Sequence, residues 1–186
     1  SLGNAFSEED LNNFEKKIKN FLSIKENFKI YYSAEPKIDG ISASLTYIDG
    51  KFCKGLSRGD GKEGEEITEN LATISDIPKV ISSKDFPKEI DIRGEVFIQN
   101  SDFKSMSEKF ANPRNAASGS LRQKNPNETK KIPLKFIAYT FGYEKGLVAE
   151  NQSNFIKKLS EWGFKTNPLN KLISGVKNLV KNYNEI

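Results

Sequence analysis

The chain is 186 residues long, 36 % hydrophobic and 29 % charged, with a formal net charge of +4 at pH 7. It contains no histidine and one cysteine, so within these residues an intrachain disulfide, Ser-His or Cys-His triads and the usual zinc sites are excluded. Nucleophilic and proton-transfer work falls to Lys, Asp, Glu, Tyr, Ser or water.

No apolar run approaches the roughly 20 residues needed to span a bilayer, and no signal peptide is visible. The expectation is a cytoplasmic monomer without a membrane partner. Its composition suits one α+β domain with room for two packed lobes. The modest positive charge is compatible with a polyanionic partner but does not demand one.

Ser7 with Asp10 three residues later reads as a helix N-cap resembling a capping box. The helix that follows carries Leu11, Phe14, Ile18, Phe21 and Leu22 at helical spacing, with Lys16, Lys17 and Lys19 as its wet side. From Lys29 the pattern becomes strand-like. The stretch EPKIDG at 35–40 places Glu35, Lys37 and Asp39 on one face if it is extended. Gly40 then allows a turn or a close ligand approach.

An amine between two carboxylates can be a solvated ion-pair pattern or a lysine aimed at a phosphate. A nucleophilic lysine must present its neutral amine. Flanking carboxylates oppose that, and a nearby cation favours it.

Ile41, Ala43, Leu45 and Tyr47 alternate with Ser42, Ser44 and Thr46, and Asp49-Gly50 signals a hairpin into residues 51–58. Residues 58–64 hold three glycines behind Arg58, either a surface turn or a loop whose N–H groups can face an anion. A short helix is expected around 65–74, closed by Pro78.

In the next strand, 90–99, Ile90, Ile92, Val96 and Ile98 oppose Asp91, Arg93, Glu95 and Phe97. Ser101 suggests a cap for a helix running to about Phe110. The small-residue run 111–123 carries Arg114 and Arg122, and Pro133 precedes an aromatic-rich strand at 134–143. Two closing helical patterns hold Phe155, Leu159 and Trp162, then Val176, Leu179, Val180 and Tyr183. All of these aromatics read as packing residues.

The motifs EPKIDG (35–40), LSRGDGKEGEEITEN (56–70), IRGEVF (92–97) and FANPRNAASGSLRQ (110–123) closely resemble the adenylation domain of bacterial NAD+-dependent DNA ligases. The resemblance runs from Ser1 to about Tyr143 and more loosely to the end. The Lys-x-Asp-Gly element alone is shared with ATP-dependent ligases and capping enzymes. The Arg-Gly-Asp-Gly loop and the Asn-Pro-Arg-Asn run, in this order, are far more specific.

The resemblance implies an α+β nucleotidyltransferase (ATP-grasp-like) fold, with antiparallel sheets flanked by helices and an incomplete C-terminus. It implies NAD+ as AMP donor, Mg2+, an adenine nucleotide and nicked double-stranded DNA. Lys37 would be the nucleophile, with Asp39 orienting it. Glu35 would read the adenine edge, Arg58 and Glu95 would hold ribose and phosphate, and Tyr139 would stack on adenine. Ser1 and Leu2 match a segment that touches the dinucleotide, although Gly3 stands where the family usually has Asp. Arg114 and Arg122 match positions expected to meet DNA phosphates.

Two further nucleotide-contacting lysines of the family find no match before Ile186. The expectation is therefore a fragment, 1–186, that binds adenine nucleotide but does not seal nicks. An ATP-dependent polynucleotide ligase domain and an inactive nucleic-acid-binding module are the alternative readings.

Overall fold

Alternation of apolar and small polar residues turns residues 41–57 into a hairpin. Strand β2, Ile41–Ile48, pairs with β3, Lys51–Ser57. Asp49 and Gly50 both adopt positive φ, 48° and 74°, the backbone that a tight two-residue hairpin requires and that glycine adopts without strain. Leu45 and Tyr47 are fully buried. The Tyr47 hydroxyl donates to the Pro78 carbonyl at 2.6 Å, so the ring is buried without an orphaned polar atom.

In this computed structural model the described residues are 3–57, 64–106 and 108–186. They divide into two units, Ser1–Pro36 with Leu169–Ile186, and Lys37–Pro168.

The larger unit is built on a four-stranded antiparallel sheet, ordered β3-β2-β4-β5, with β4 at Glu89–Ile98 and β5 at Leu134–Lys145. The expected alternation of β4 is realised. Ile90, Ile92, Val96 and Ile98 are all core residues, and Arg93 on the other face is exposed. At Gly94 a Cβ would collide with the Phe136 ring and the Ile137 carbonyl, so β4 and β5 approach closely there. Beside the sheet lie α2 (Thr68–Leu71), α3 (Asn100–Phe103), α4 (Pro113–Leu121), α5 (Pro126–Lys130) and α6 (Gln152–Glu161). Phe155, Leu159 and Trp162 are buried, as their spacing predicts.

The smaller unit pairs β1, Tyr31–Ala34, antiparallel with β6, Lys171–Ser174, and packs helix α1, Glu8–Phe21, on α7, Val176–Glu185. The capping box is present. Ser7 Oγ accepts from Asp10 N at 3.1 Å, and the Asp10 carboxylate accepts from Ser7 N.

Several expectations fail, for identifiable reasons. Residues 35–39 are not a strand: β1 stops at Ala34, and Pro36 has no N–H to give to a ladder. Ser101 is not a cap. The helix already begins at Asn100 and ends at Phe103 before a 3-10 turn at Lys104–Met106. There Ser105 Oγ donates to the Asp102 carbonyl, a side-chain bond that competes with helix propagation. The apolar stripe of α1 is only partly used, with Phe14 53 % and Phe21 88 % exposed. Lys19 is not on a wet side; it pairs with Glu15 at 2.7 Å and donates to the Glu26 carbonyl. Tyr183 is exposed rather than packed.

Among the described residues no helix is long and apolar enough to cross a membrane.

Candidate active site

The polar face of the four-stranded sheet carries the candidate site of the larger unit. Antiparallel register sets Ser42 of β2 directly opposite Glu95 of β4, where facing side chains meet. Ser42 Oγ donates to Glu95 Oε2 at 2.9 Å, and the Tyr139 hydroxyl donates to Ser42 Oγ at 3.4 Å. Tyr139 lies on β5, with its carbonyl accepting from Gln152 Nε2 at 2.6 Å. Three strands thus contribute one side chain each to a connected row. Gly40 is buried beneath it, and a Cβ there would drive into the Val96 carbonyl. Only a glycine lets the chain enter β2 this close to β4.

Glu95 is 8 % exposed, a rare position for a carboxylate without support. Burial pushes its carboxyl above the usual range. The Ser42 hydroxyl, the charges of Arg114 and Lys37 and the Gly40 N–H pull the other way. A buried carboxylate ringed by two cations and a hydroxyl is well suited to accept hydrogen bonds from a sugar or to compensate a ligand's cationic partner.

Lys37 and Asp39 are both exposed. Asp39 Oδ1 stands 3.6 Å from Arg114 Nη1.

Arg114 is presented by the first turn of α4. Asn112 Oδ1 accepts from Asn115 N at 2.7 Å to cap that helix, and Pro113 fills its first position. Ala116 and Ala117 are fully buried, so the small residues of this run let α4 settle on the sheet and bring Arg114 to the Asp39–Glu95 group.

The predicted residues are therefore only partly gathered. Lys37, Asp39, Glu95, Tyr139 and Arg114 share the larger unit. Arg122 lies past the end of α4, paired with Glu65 at 2.8 Å. Glu35 belongs to the smaller unit, where its carboxylate accepts from Ser33 Oγ at 2.7 Å; the strand that was to align it with Lys37 does not form. Ser1, Leu2 and Arg58 lie outside the described residues. Sequence reasoning passed over Ser42, although its place two residues beyond Gly40 on the polar face of β2 was a usable signal.

A family model described as the NAD-dependent DNA ligase adenylation domain matches residues 1–186. The chain belongs to that family.

The domain is 71 % identical over 186 residues to the DNA ligase of Pelagibacter ubique strain HTCC1062, covering all of this chain and 28 % of that protein. It is 45 % identical over 194 residues to the DNA ligase of Parvibaculum lavamentivorans, again covering all of this chain and 27 % of the relative. With the DNA ligase of Bradyrhizobium sp. strain ORS 278 the identity is 45 % over 188 residues, covering 97 % of this chain and 26 % of the relative. The adenylation domain thus spans little more than a quarter of the length of these relatives.

Proposed function

We propose that this domain accepts AMP from NAD+ on Lys37 and, within a complete ligase, passes it to the 5′-phosphate of nicked double-stranded DNA for sealing. In the first step the Lys37 amine attacks the α-phosphorus of NAD+. A nitrogen–phosphorus bond forms, and the bond to the oxygen of nicotinamide mononucleotide breaks. That group departs with the bonding pair, and the proton lost by the amine passes to solvent water.

Such transfer is mostly positioning and charge neutralisation. Asp39 and Arg114 orient the groups around the lysine, and Glu95 accepts from the ribose hydroxyls. Tyr139 offers its ring to adenine. Glu35 reads the adenine edge, Arg58 the phosphate side, and Ser1 with Leu2 the dinucleotide. Arg114 and Arg122 meet DNA phosphates. The fold in this reading is of the nucleotidyltransferase (ATP-grasp-like) type, and the working protein is a cytoplasmic monomer.

Mg2+, which the resemblance to NAD+-dependent DNA ligases implies, would screen the phosphates. Among the described residues no three or more His, Cys, Asp or Glu side chains gather to hold a metal ion.

The observation that carries this reading is the buried Glu95, held beside Ser42 and under the charges of Arg114 and Lys37. The test is incubation of the complete gene product with NAD+ labelled in its adenylate half, followed by peptide mass spectrometry. The expected outcome is one AMP on Lys37, absent in Lys37→Ala. Label on another residue, or transfer from ATP and not from NAD+, would overturn it.

A further inference from the structure

A single serine hydroxyl joins the two groups proposed to hold the nucleoside. Ser42 Oγ has one proton, which goes to Glu95 Oε2 at 2.9 Å, and lone pairs, one of which receives the Tyr139 hydroxyl at 3.4 Å. A hydroxyl is suited to this place because it donates and accepts at once. Ser42 is half-buried, with the fully packed Leu45 and the nearly buried Ala43 next along the strand, so its backbone is fixed by the sheet. The β2–β4 register sets its Cα opposite that of Glu95.

We propose that Ser42 is a positioning residue for the adenylation step: by bridging Glu95 and Tyr139 it fixes the carboxylate that meets the ribose and the phenol beside adenine in one arrangement before the nucleotide arrives. This inference rests on the reading of Glu95 and Tyr139 as nucleoside contacts and adds a residue that acts through them. Without the bridge, a buried carboxylate loses one of its few donors and gains rotational freedom. Both effects weaken nucleotide capture more than the chemistry at Lys37.

The electrostatic surroundings give the bridge a signature of its own. Burial raises the Glu95 carboxyl, and Ser42, Arg114, Lys37 and the Gly40 N–H lower it. Asp39 offsets part of the Arg114 charge, Arg93 stands two residues along the same strand face, and Tyr139 is the other titratable group of the row. Removing the Ser42 hydroxyl takes away one lowering contribution. Glu95 then holds its proton to higher pH, and the acidic limb of any step that needs the carboxylate moves upward.

The experiment follows AMP transfer from NAD+ to Lys37 by the complete gene product across pH, for the parent, Ser42→Ala, Ser42→Thr and Glu95→Ala. The expected result for Ser42→Ala is a KM for NAD+ raised about tenfold with a smaller change in kcat, and an acidic limb displaced to higher pH. Ser42→Thr keeps the hydroxyl and restores both. Should Ser42→Ala fold poorly, Ser42→Cys keeps the size with a weak donor and is expected to show the same two changes.

Superimposable pH profiles and KM values for the parent and the hydroxyl-free variant, with transfer lost in Glu95→Ala, would overturn the positioning role and leave the site intact. Undiminished transfer by Glu95→Ala would instead overturn the reading of the site on which this role rests.

Discussion

Trp162 Nε1 donates to Asp85 Oδ1 at 3.0 Å across 77 residues of sequence. The same carboxylate accepts from Lys158 and, at 2.6 Å, from Ser83. One exposed aspartate thereby pins the end of α6 and its buried tryptophan to the loop before β4, while Trp162 stacks edge-on against Phe86. The Lys158 bond first, then those of Ser83 and Trp162, hold the Asp85 carboxyl well below its ordinary 3.8.

A depressed carboxylate stabilises the fold above its unfolded pKa and loses that contribution as pH falls through it. Asp85→Asn is therefore expected to lower stability by about 1 kcal/mol at pH 7, a figure kept small because the group is half-exposed. The difference is expected to close as pH drops below 3.8. Denaturation followed by fluorescence of Trp162, the only tryptophan of the chain, measures both; parallel stability curves down to low pH would contradict the assignment.

Glu95 carries the opposite sign. Its folded pKa is raised above the ordinary 4.5, chiefly by burial. The folded state therefore binds the proton more tightly than the unfolded one, and stability declines as pH rises through the interval between the two values. Glu95→Gln keeps the shape and an acceptor for Ser42 while removing the buried charge. It is expected to raise stability at neutral pH by about 0.5–1 kcal/mol and to abolish AMP transfer, the usual price of a site kept for function. Thermal denaturation at pH 7 beside a labelled-NAD+ assay checks both halves. A destabilised and active variant would show that Glu95 serves the fold instead.

Arg114 owes its place to a buried polar chain under α4. Asn70 Nδ2 donates to Thr129 Oγ1 at 2.7 Å and to the Gln123 carbonyl at 2.9 Å. Thr129 Oγ1 donates to the Ser120 carbonyl at 2.8 Å. These bonds tie α2, α4 and α5 together with every donor used. Asn70→Ala strands the Gln123 carbonyl and removes the donor to Thr129. It is expected to cost about 1–3 kcal/mol, read from urea unfolding. AMP transfer is expected to fall with it, because the helix that presents Arg114 loosens.

How legible all this was in the sequence depended on the range of the interactions. The hairpin at Asp49-Gly50, the alternation through β4 and the Phe155/Leu159/Trp162 stripe are local patterns, and they formed as read. Lys37, Asp39 and Glu95 stood out as candidates through the motifs that carry the family resemblance, not because their spacing dictates a site. What failed was context. Pro36 broke the extended run that would have put Glu35, Lys37 and Asp39 on one face, and Ser105 bonded to the Asp102 carbonyl inside the helix expected from Ser101 to about Phe110. The Ser42–Glu95 pair and the Asn70–Thr129 bond join residues 53 and 59 positions apart. Only the β2–β4 register and the seating of α4 on the sheet create them.

The two arginines of the small-residue run separate by environment, and so does their expected behaviour toward DNA. Arg122 pairs with Glu65 at 2.8 Å, both side chains more than half exposed, a pair worth about 0–1 kcal/mol. Releasing it for a phosphate costs little. Arg122→Ala is expected to leave stability and AMP transfer unchanged while lowering the slope of log K against log salt for nicked duplex by about 0.9. Arg114 also faces Asp39 and acts on Glu95. Arg114→Ala is expected to lower the same slope and, in addition, to slow AMP transfer. Salt-titrated binding of the complete gene product to nicked DNA, run beside the transfer assay, separates the two. If both variants changed the slope alike and neither changed transfer, Arg114 would be a DNA contact only, and the Asp39–Arg114 pair would play no part in the chemistry at Lys37.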